Sequence, residues 1–174
     1  VLFRLGNTSQ ACGGAWFAAD GSRIATVEKG RPELAQVWDG ETGALVFELA
    51  GHTKALHGIA FSPEGERVVT GSEDLTGRVW DARDVRCLTV LDLYRRSPTE
   101  FDGDFSNLFG LPEVFCLPGT NHSNGDSEAH PPKLNLDHEI SFHFIDHGRR
   151  LVSSTISALK LWDTETWKCL CTVP

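Results

Sequence analysis

The sequence predicts an all-β fold built from repeated four-stranded units. The chain has 17 Gly, 10 Phe and 5 Trp but no Met, a composition that favours turns and strands over long helices. A short apolar pattern that ends in Trp-Asp occurs three times, and short apolar segments separated by Gly-containing turns surround each copy. Together these observations indicate a repeat protein rather than one irregular domain.

Three Trp-Asp pairs mark the repeats, and the first two are separated by about 40 residues. Upstream of each pair lies an apolar strand end with a Gly turn and then a strand that ends in a hydroxyl residue, and a further strand follows each pair. Each unit therefore contains four strands, as propeller blades do. The pairs are Trp38-Asp39, Trp80-Asp81 and Trp162-Asp163.

This pattern predicts a partial β-propeller of three four-stranded antiparallel blades with a leading outer strand at residues 2–5. Residues 1–91 hold the first two repeats, with blades at about 15–49 and 57–91, and residues 140–174 hold the third. Three blades cannot close a ring, so we expect the remaining repeats to lie outside residues 1–174.

Residues 92–139 separate the second and third repeats and have the composition of a loop. They contain Pro98, Pro112, Pro118, Pro131 and Pro132 and no Trp. The sequence favours a long loop insertion here, and a degenerate fourth blade is the alternative. Long loops on rigid scaffolds commonly carry function.

The second repeat resembles the WD-repeat family, and the likeness extends over about residues 1–91 and 140–174. It has Gly51-His52 before its first strand and Trp80-Asp81 at the end of its third. The resemblance implies a hydrogen-bonded tetrad inside the blade. Its members would be His52, Thr70, Asp74 and Trp80.

The first and third repeats keep only part of this tetrad. The first keeps Thr26 and Trp38 but has Thr8 and Pro32 where His and Asp are expected. The third keeps Ser153 and Trp162 but has Asn or Leu near position 135 and Ile156 where His and Asp are expected. We therefore expect these two blades to depend on packing alone.

The resemblance implies a protein-interaction scaffold, with the insertion on the ring face where many family members bind partners. A second hypothesis is a substrate-recognition subunit of a cullin-type ubiquitin ligase, because Trp80-Asp81-Ala82-Arg83 resembles the box through which such receptors contact an adaptor. On the alternative interpretation, Arg83 is a solvated turn residue. A third hypothesis is a repeat array attached to a catalytic domain outside this segment.

Two further tryptophans, Trp16 and Trp167, lie outside the Trp-Asp pattern. We expect both to be exposed, either covering an apolar blade face or anchoring a partner.

Composition argues against several other classes of function. A net charge of -8 and a pI near 5.3 disfavour nucleic acid as a partner, and no apolar stretch has the length of a membrane span. The odd number of cysteines, 5, fits a reducing compartment, hence an intracellular protein of the cytoplasm or nucleus.

Neither catalysis nor a cofactor is predicted. Ser62 or Ser72 with His52 and Asp74 lacks the turn motif of a serine hydrolase, and there is no phosphate-binding loop. The spacing of Cys116, His122, His130 and His138 matches no compact zinc pattern, so we expect no metal.

Overall fold

The computed structural model describes residues 12–94 and 140–173, which form three four-stranded antiparallel sheets. The first sheet contains β1 (Cys12–Phe17), β2 (Arg23–Glu28), β3 (Arg31–Asp39) and β4 (Leu45–Leu49). The second contains β5 (Leu56–Phe61), β6 (Arg67–Ser72), β7 (Thr76–Asp81) and β8 (Cys87–Asp92). The third contains β9 (Ser141–Ile145), β10 (Arg150–Ser154), β11 (Leu159–Asp163) and β12 (Cys169–Val173).

The strands of each sheet pair in chain order, as expected for propeller blades. The predicted all-β fold of three four-stranded blades is confirmed. A short 3-10 turn, Asp146–Gly148, joins β9 to β10. The predicted leading strand at residues 2–5 lies outside the described residues. Within the described ranges, no helix has the length and apolar character needed to cross a membrane.

Each sheet has two apolar sides because successive side chains of a strand point to opposite faces. One side, called the Trp face here, carries Trp38, Trp80 or Trp162. The opposite side, called the Val face, carries mainly small or β-branched residues, such as Val69 and Val79 in the second sheet.

Among the residues that the structure describes, the core consists of two clusters, and each lies between neighbouring sheets. In the first, Trp80 and Val68 on the Trp face of the second sheet pack with Val37 and Ala25 on the Val face of the first. In the second, Trp162 of the third sheet packs with the Val face of the second. The Trp faces of the second and third sheets therefore each contact the Val face of the preceding sheet.

The second and third sheets approach each other closely through two glycines. A methyl group on Gly71 would lie 2.6 Å from Ile140 Cγ2 and 2.7 Å from Phe142 Cε2, and a methyl group on Gly58 would overlap the Ile140 carbonyl. Both positions therefore require glycine. The third sheet packs directly on the second, although about 50 residues separate β8 from β9 in the chain.

The turns of each sheet lie on two opposite edges. The turn between the second and third strands of each sheet lies at the same end of the strands as the segments that connect successive sheets. We call this side of the sheets the link edge. The turns between first and second strands and between third and fourth strands share the other, called the turn edge.

A β-bulge interrupts the fourth strand of each sheet beside the Trp of the third strand. The register shifts opposite Trp38, Trp80 and Trp162, and one extra residue stands in the outer strand each time. These extra residues are exposed and apolar: Val46, Leu88 and Leu170.

Candidate interaction site

A chain of hydrogen bonds crosses the second sheet at the link edge. The Trp80 indole N–H donates to Thr70 Oγ1 (2.9 Å), and Thr70 Oγ1 lies 2.8 Å from His52 Nε2. His52 Nδ1 lies 2.8 Å from Asp74 Oδ2. The structure thus brings the four residues of the expected tetrad into one continuous chain of hydrogen bonds. These bonds join the segment before β5 to the β6–β7 turn.

The protonation state of His52 determines the direction of this chain. Burial lowers the pKa of His52, although the nearby Asp74 carboxylate opposes that effect, and this favours the neutral imidazole. An ionised carboxylate can only accept, so the single imidazole proton lies on Nδ1 and is donated to Asp74. The Thr70 hydroxyl then donates to His52 Nε2, while its oxygen accepts from the Trp80 indole N–H.

Asp74 is held ionised by the donors around it. Burial alone would raise its pKa, but hydrogen bonds from the Thr76 hydroxyl (2.6 Å), His52 and the Thr53 N–H outweigh burial and hold the pKa of Asp74 well below its usual range. Through these hydrogen bonds, the carboxylate links residues 52–53 to the turn before β7.

The first and third sheets retain one bond of this chain. Trp38 Nε1 donates to Thr26 Oγ1 at 2.8 Å, and Trp162 Nε1 donates to Ser153 Oγ at 2.9 Å. The expectation that these blades depend on packing alone is wrong, because each indole N–H has a hydroxyl partner in its own sheet. In the third sheet, Thr155 closes the turn by accepting from the Ala158 N–H (3.2 Å), next to Ile156.

The aspartates of the Trp-Asp pairs close turns at the turn edge. Asp39 Oδ1 accepts from the N–H (2.9 Å) and the hydroxyl of Thr42, and Asp163 Oδ1 accepts from both groups of Thr166. Asp81 Oδ1 accepts from the Arg83 N–H at 2.8 Å. Hydrogen bonds from the backbone and hydroxyl of Thr42 lower the pKa of Asp39.

The two ends of the connection between the second and third sheets meet at the link edge. Leu93 and Ile140 are buried in the same cluster, and the Leu93 N–H donates to the Leu75 carbonyl at 3.4 Å. Lys160 of the third sheet donates from Nζ to the Asp92 carbonyl at 2.8 Å. We call residues 92–94 and 140 the stem. Residues 95–139, including Cys116, His122, His130 and His138, lie outside the described residues.

Lys160 was not identified from the sequence. Its side chain is buried, its Nζ lies 5.7 Å from the centroid of the Trp162 ring, and burial lowers its pKa. One sequence signal could have identified it. Each sheet has a long polar residue two positions before its Trp, the others being Gln36 and Arg78, so all three lie on Trp faces.

Arg83 lies on the turn edge with an exposed side chain, 67% accessible, and forms an ion pair with Glu66. Such an exposed pair contributes little to stability. The position leaves the guanidinium within reach of a partner.

Trp16 and Trp167 are half-buried, so the expectation that both are exposed is wrong. Trp16 packs against the cluster between the first two sheets. Trp167 packs against the cluster between the second and third, and the Arg67 guanidinium of the second sheet lies 5.5 Å from its ring centroid. Both indoles contribute to contacts between sheets.

Comparison with known proteins agrees with this geometry. The family model described as "WD domain, G-beta repeat" matches residues 43–81, which include His52, Thr70, Asp74 and Trp80. Residues 43–81 therefore form a repeat of the WD-repeat family. The three sheets of this WD-repeat chain are accordingly blades.

Similar proteins share only part of their length with this WD-repeat chain. THO complex subunit 6 of Arabidopsis thaliana is 35% identical over 57 residues, 33% of this chain and 16% of that protein. Human WD repeat and SOCS box-containing protein 1 is 40% identical over 50 residues, 28% of this chain and 12% of that protein. Protein groucho of Drosophila melanogaster is 29% identical over 132 residues, 76% of this chain and 16% of that protein.

Proposed function

We propose that the chain is part of an intracellular protein-interaction scaffold and that its link edge, with the insertion at residues 92–139, binds the partner. Rigid blades hold connecting segments in fixed positions, and such segments commonly carry binding function. The names of two similar proteins, a complex subunit and a SOCS box-containing protein, fit a role in assemblies.

The direct contact between the second and third blades is the observation that carries this proposal. A blade between them would have to separate Val69 and Val79 from Leu151 and Trp162, which pack in one cluster. This supports an insertion at residues 92–139 over a degenerate fourth blade.

The stem supports the same role. Leu93 and Ile140 are buried together, and Lys160 and Leu75 hold the outgoing chain by hydrogen bonds from opposite sides of the junction. Both points at which the insertion joins the blades are therefore held in fixed positions.

The free thiols fit a reducing compartment. Among the residues that the structure describes, Cys12, Cys87, Cys169 and Cys171 form no disulfide. We propose the cytoplasm or nucleus as its location.

The test replaces residues 95–139 with a short Gly-Ser linker. Cells expressing the tagged wild type and the linker variant are compared by quantitative affinity capture, with Glu41→Ala at the turn edge as the matched control. We expect the linker variant to keep the three blades folded and to lose the partners that both other proteins capture. Equal capture by all three would show that the insertion is not the binding element.

A second candidate function uses Arg83 at the turn edge as a contact for a ubiquitin-ligase adaptor. The exposed guanidinium in Trp80-Asp81-Ala82-Arg83 favours it. We expect Arg83→Ala to abolish adaptor capture and Glu66→Gln, which frees Arg83 from its ion pair, to preserve it. No capture by the wild type, or unchanged capture by Arg83→Ala, would end this candidate.

A further inference from the structure

Three apolar residues in the described part of the chain have a left-handed backbone, and one of them differs from the other two. Their φ angles are 71° for Leu75, 61° for Val85 and 55° for Trp167. A bulky side chain makes this conformation unfavourable, whereas glycine and asparagine adopt it readily. An apolar residue at such a position therefore needs a contact that compensates for the strain of its backbone.

For Val85 and Trp167 the compensating contact lies between blades. Both residues close the turn between the third and fourth strands of their blade, where their N–H groups donate to the carbonyls of Asp81 and Asp163. The first blade has Gly43 at the same place, with a φ of 70°. Glycine is therefore sufficient for the turn. The larger side chains pack against the core clusters, Val85 against the first and Trp167 against the second.

Leu75 has a similarly strained backbone but belongs to neither core cluster. It lies in the β6–β7 turn at the link edge, and its side chain is 53% exposed. The backbone holds this turn, because the Leu75 N–H donates to the Ser72 carbonyl at 3.1 Å and its carbonyl accepts from Leu93 of the stem. Ile156, in the corresponding turn of the third blade, is 52% exposed. The two blades that the stem joins thus each present an apolar side chain at the link edge.

We propose that Leu75 and Ile156 are anchor points for a segment of a partner protein that carries apolar and basic side chains. Both residues lie on the link edge, so the proposal rests on the proposed function and adds the chemistry of the partner. The apolar character follows from the contacts of Val85 and Trp167, whose strained backbones are compensated by apolar clusters. Leu75 requires a contact of the same kind from outside the two clusters.

The charges beside Leu75 favour a basic partner. Glu73 and Asp74 immediately precede it, the Glu73 side chain is 38% exposed, and hydrogen bonds hold the Asp74 carboxylate ionised. The adjoining segment at residues 53–55 contributes one cation, Lys54, and the whole chain has a net charge of -8. Lys and Arg of a partner are attracted to such a surface, whereas the link edge of a second copy would bring the same carboxylates and be repelled.

The first test measures whether Leu75 contributes to the stability of the fold. Asparagine tolerates the left-handed backbone and keeps both backbone hydrogen bonds of the turn. We expect Leu75→Asn to leave the folding equilibrium constant unchanged or to raise it by up to about tenfold. Val85→Asn is the matched comparison and should lower it, because Val85 packs against a core cluster. Urea denaturation gives both values.

An equal loss of stability in Leu75→Asn and Val85→Asn would overturn the proposal, because Leu75 would then serve the fold. If that loss disappeared when a Gly-Ser linker replaces residues 95–139, the insertion would be the occupant of this surface. A dimer of the chain that Leu75→Asn dissociates would also overturn the proposal, because the occupant would then be a second copy.

The second test measures binding with a defined probe. A phage-displayed library of short random peptides is selected on the full chain, and the selected peptides are synthesised and titrated by fluorescence anisotropy. We expect them to combine apolar residues with Lys or Arg and to bind Leu75→Asn and Ile156→Asn about tenfold more weakly than the wild type. Leu88→Asn removes an exposed leucine from the fourth strand of the second blade and should bind as the wild type does.

The linker variant separates failure of the anchor points from failure of the insertion as a binding element. Peptides that bind the linker variant normally but bind Leu75→Asn weakly would support the anchor points and count against the insertion. Peptides that bind Leu75→Asn as tightly as the wild type would overturn the proposal, and loss of their binding in the linker variant would then leave the proposed function intact. Selection of acidic peptides, or of none, would also overturn it.

Discussion

Lys160 of the third blade donates a hydrogen bond to the backbone carbonyl of Asp92 in the second, across the junction from which residues 92–139 depart. A buried ammonium requires strong acceptors, so this bond fixes the end of β8 relative to β11.

Replacing Lys160 with Met should loosen the stem. The Asp92 carbonyl loses its ammonium donor, so we expect amide exchange at residues 92–94 to rise about tenfold, which corresponds to one hydrogen bond. Lys160→Arg should restore part of the protection, and Lys54→Met at an exposed position should change nothing there. Unaltered exchange in Lys160→Met would mean that Lys160 does not hold the stem. Hydrogen exchange with mass spectrometry gives the measurement.

Stability should fall as the pH falls below about 6.5, the ordinary pKa of histidine. Because burial lowers the pKa of His52 in the folded state, the unfolded chain binds more protons in this range, and stability increases with pH. The contribution of the neutral His52 is complete above the unfolded pKa and is lost as the pH falls through the folded pKa. Urea midpoints between pH 5 and pH 8 measure it, and His52→Gln should flatten the slope. A variant with the wild-type slope would exclude His52 as its source.

A second loss of folding stability is expected at more acid pH, when Asp74 becomes protonated. Its folded pKa lies below the unfolded value of 3.8, so its contribution is present above 3.8 and is lost as the pH falls further. Asp74→Asn should remove this component and leave the part attributed to Asp39 and Asp163, whose pKa values are also lowered. Acid unfolding followed by circular dichroism checks it, and identical acid midpoints in the variant and the wild type would contradict it.

The three hydroxyl residues that accept hydrogen bonds from the indole N–H groups should differ in their contribution to stability. Thr70→Val breaks two bonds, to Trp80 and to His52, and leaves buried polar groups unpaired, so we expect a loss of about 2–4 kcal/mol. Thr26→Val and Ser153→Ala break one bond each and should cost about 1–2 kcal/mol. Chemical denaturation of the three variants gives the order. A loss in Thr70→Val no larger than in Thr26→Val would show that His52 gains nothing from Thr70.

Gly71→Ala should separate the second and third blades. The added methyl group meets Ile140 and Phe142, and overpacking of this kind costs about 1–3 kcal/mol. Gly77→Ala in the neighbouring strand is the comparison, because its nearest neighbour, Leu93 Cδ2, would lie at 3.2 Å and can adjust. We expect limited proteolysis to release the third blade earlier in Gly71→Ala. Equal protection of both variants would mean that the interface tolerates the methyl group.

The repeat pattern predicted the strands well because each blade is specified locally. The Trp-Asp pairs, the Gly turns and the strand after each pair lie within a few residues of one another, and the structure places β3, β7 and β11 at those pairs. The hydrogen bond from Trp80 to Thr70 follows the same local register, since the two residues face one side of paired strands.

Contacts between blades could not be predicted in the same way. Trp16 has no local signal that tells a solvent-facing position from one covered by the second blade, and Arg67 reaches Trp167 across about 100 residues of chain. The expectation that the first and third blades depend on packing alone is wrong for a different reason. The absence of His and Asp from these repeats says nothing about Thr26 and Ser153, which serve the indoles alone.

The bulges at Val46, Leu88 and Leu170 make the last strand of each blade irregular. A regular edge strand is a template because its unpaired backbone N–H and C=O groups can pair with a strand of another protein. Such pairing leads to fibrils and to nonspecific extension of the sheet. In all three blades, one irregular residue in the last strand breaks that template beside the Trp. Strands of other proteins therefore meet no uninterrupted row of backbone hydrogen-bonding groups on these strands.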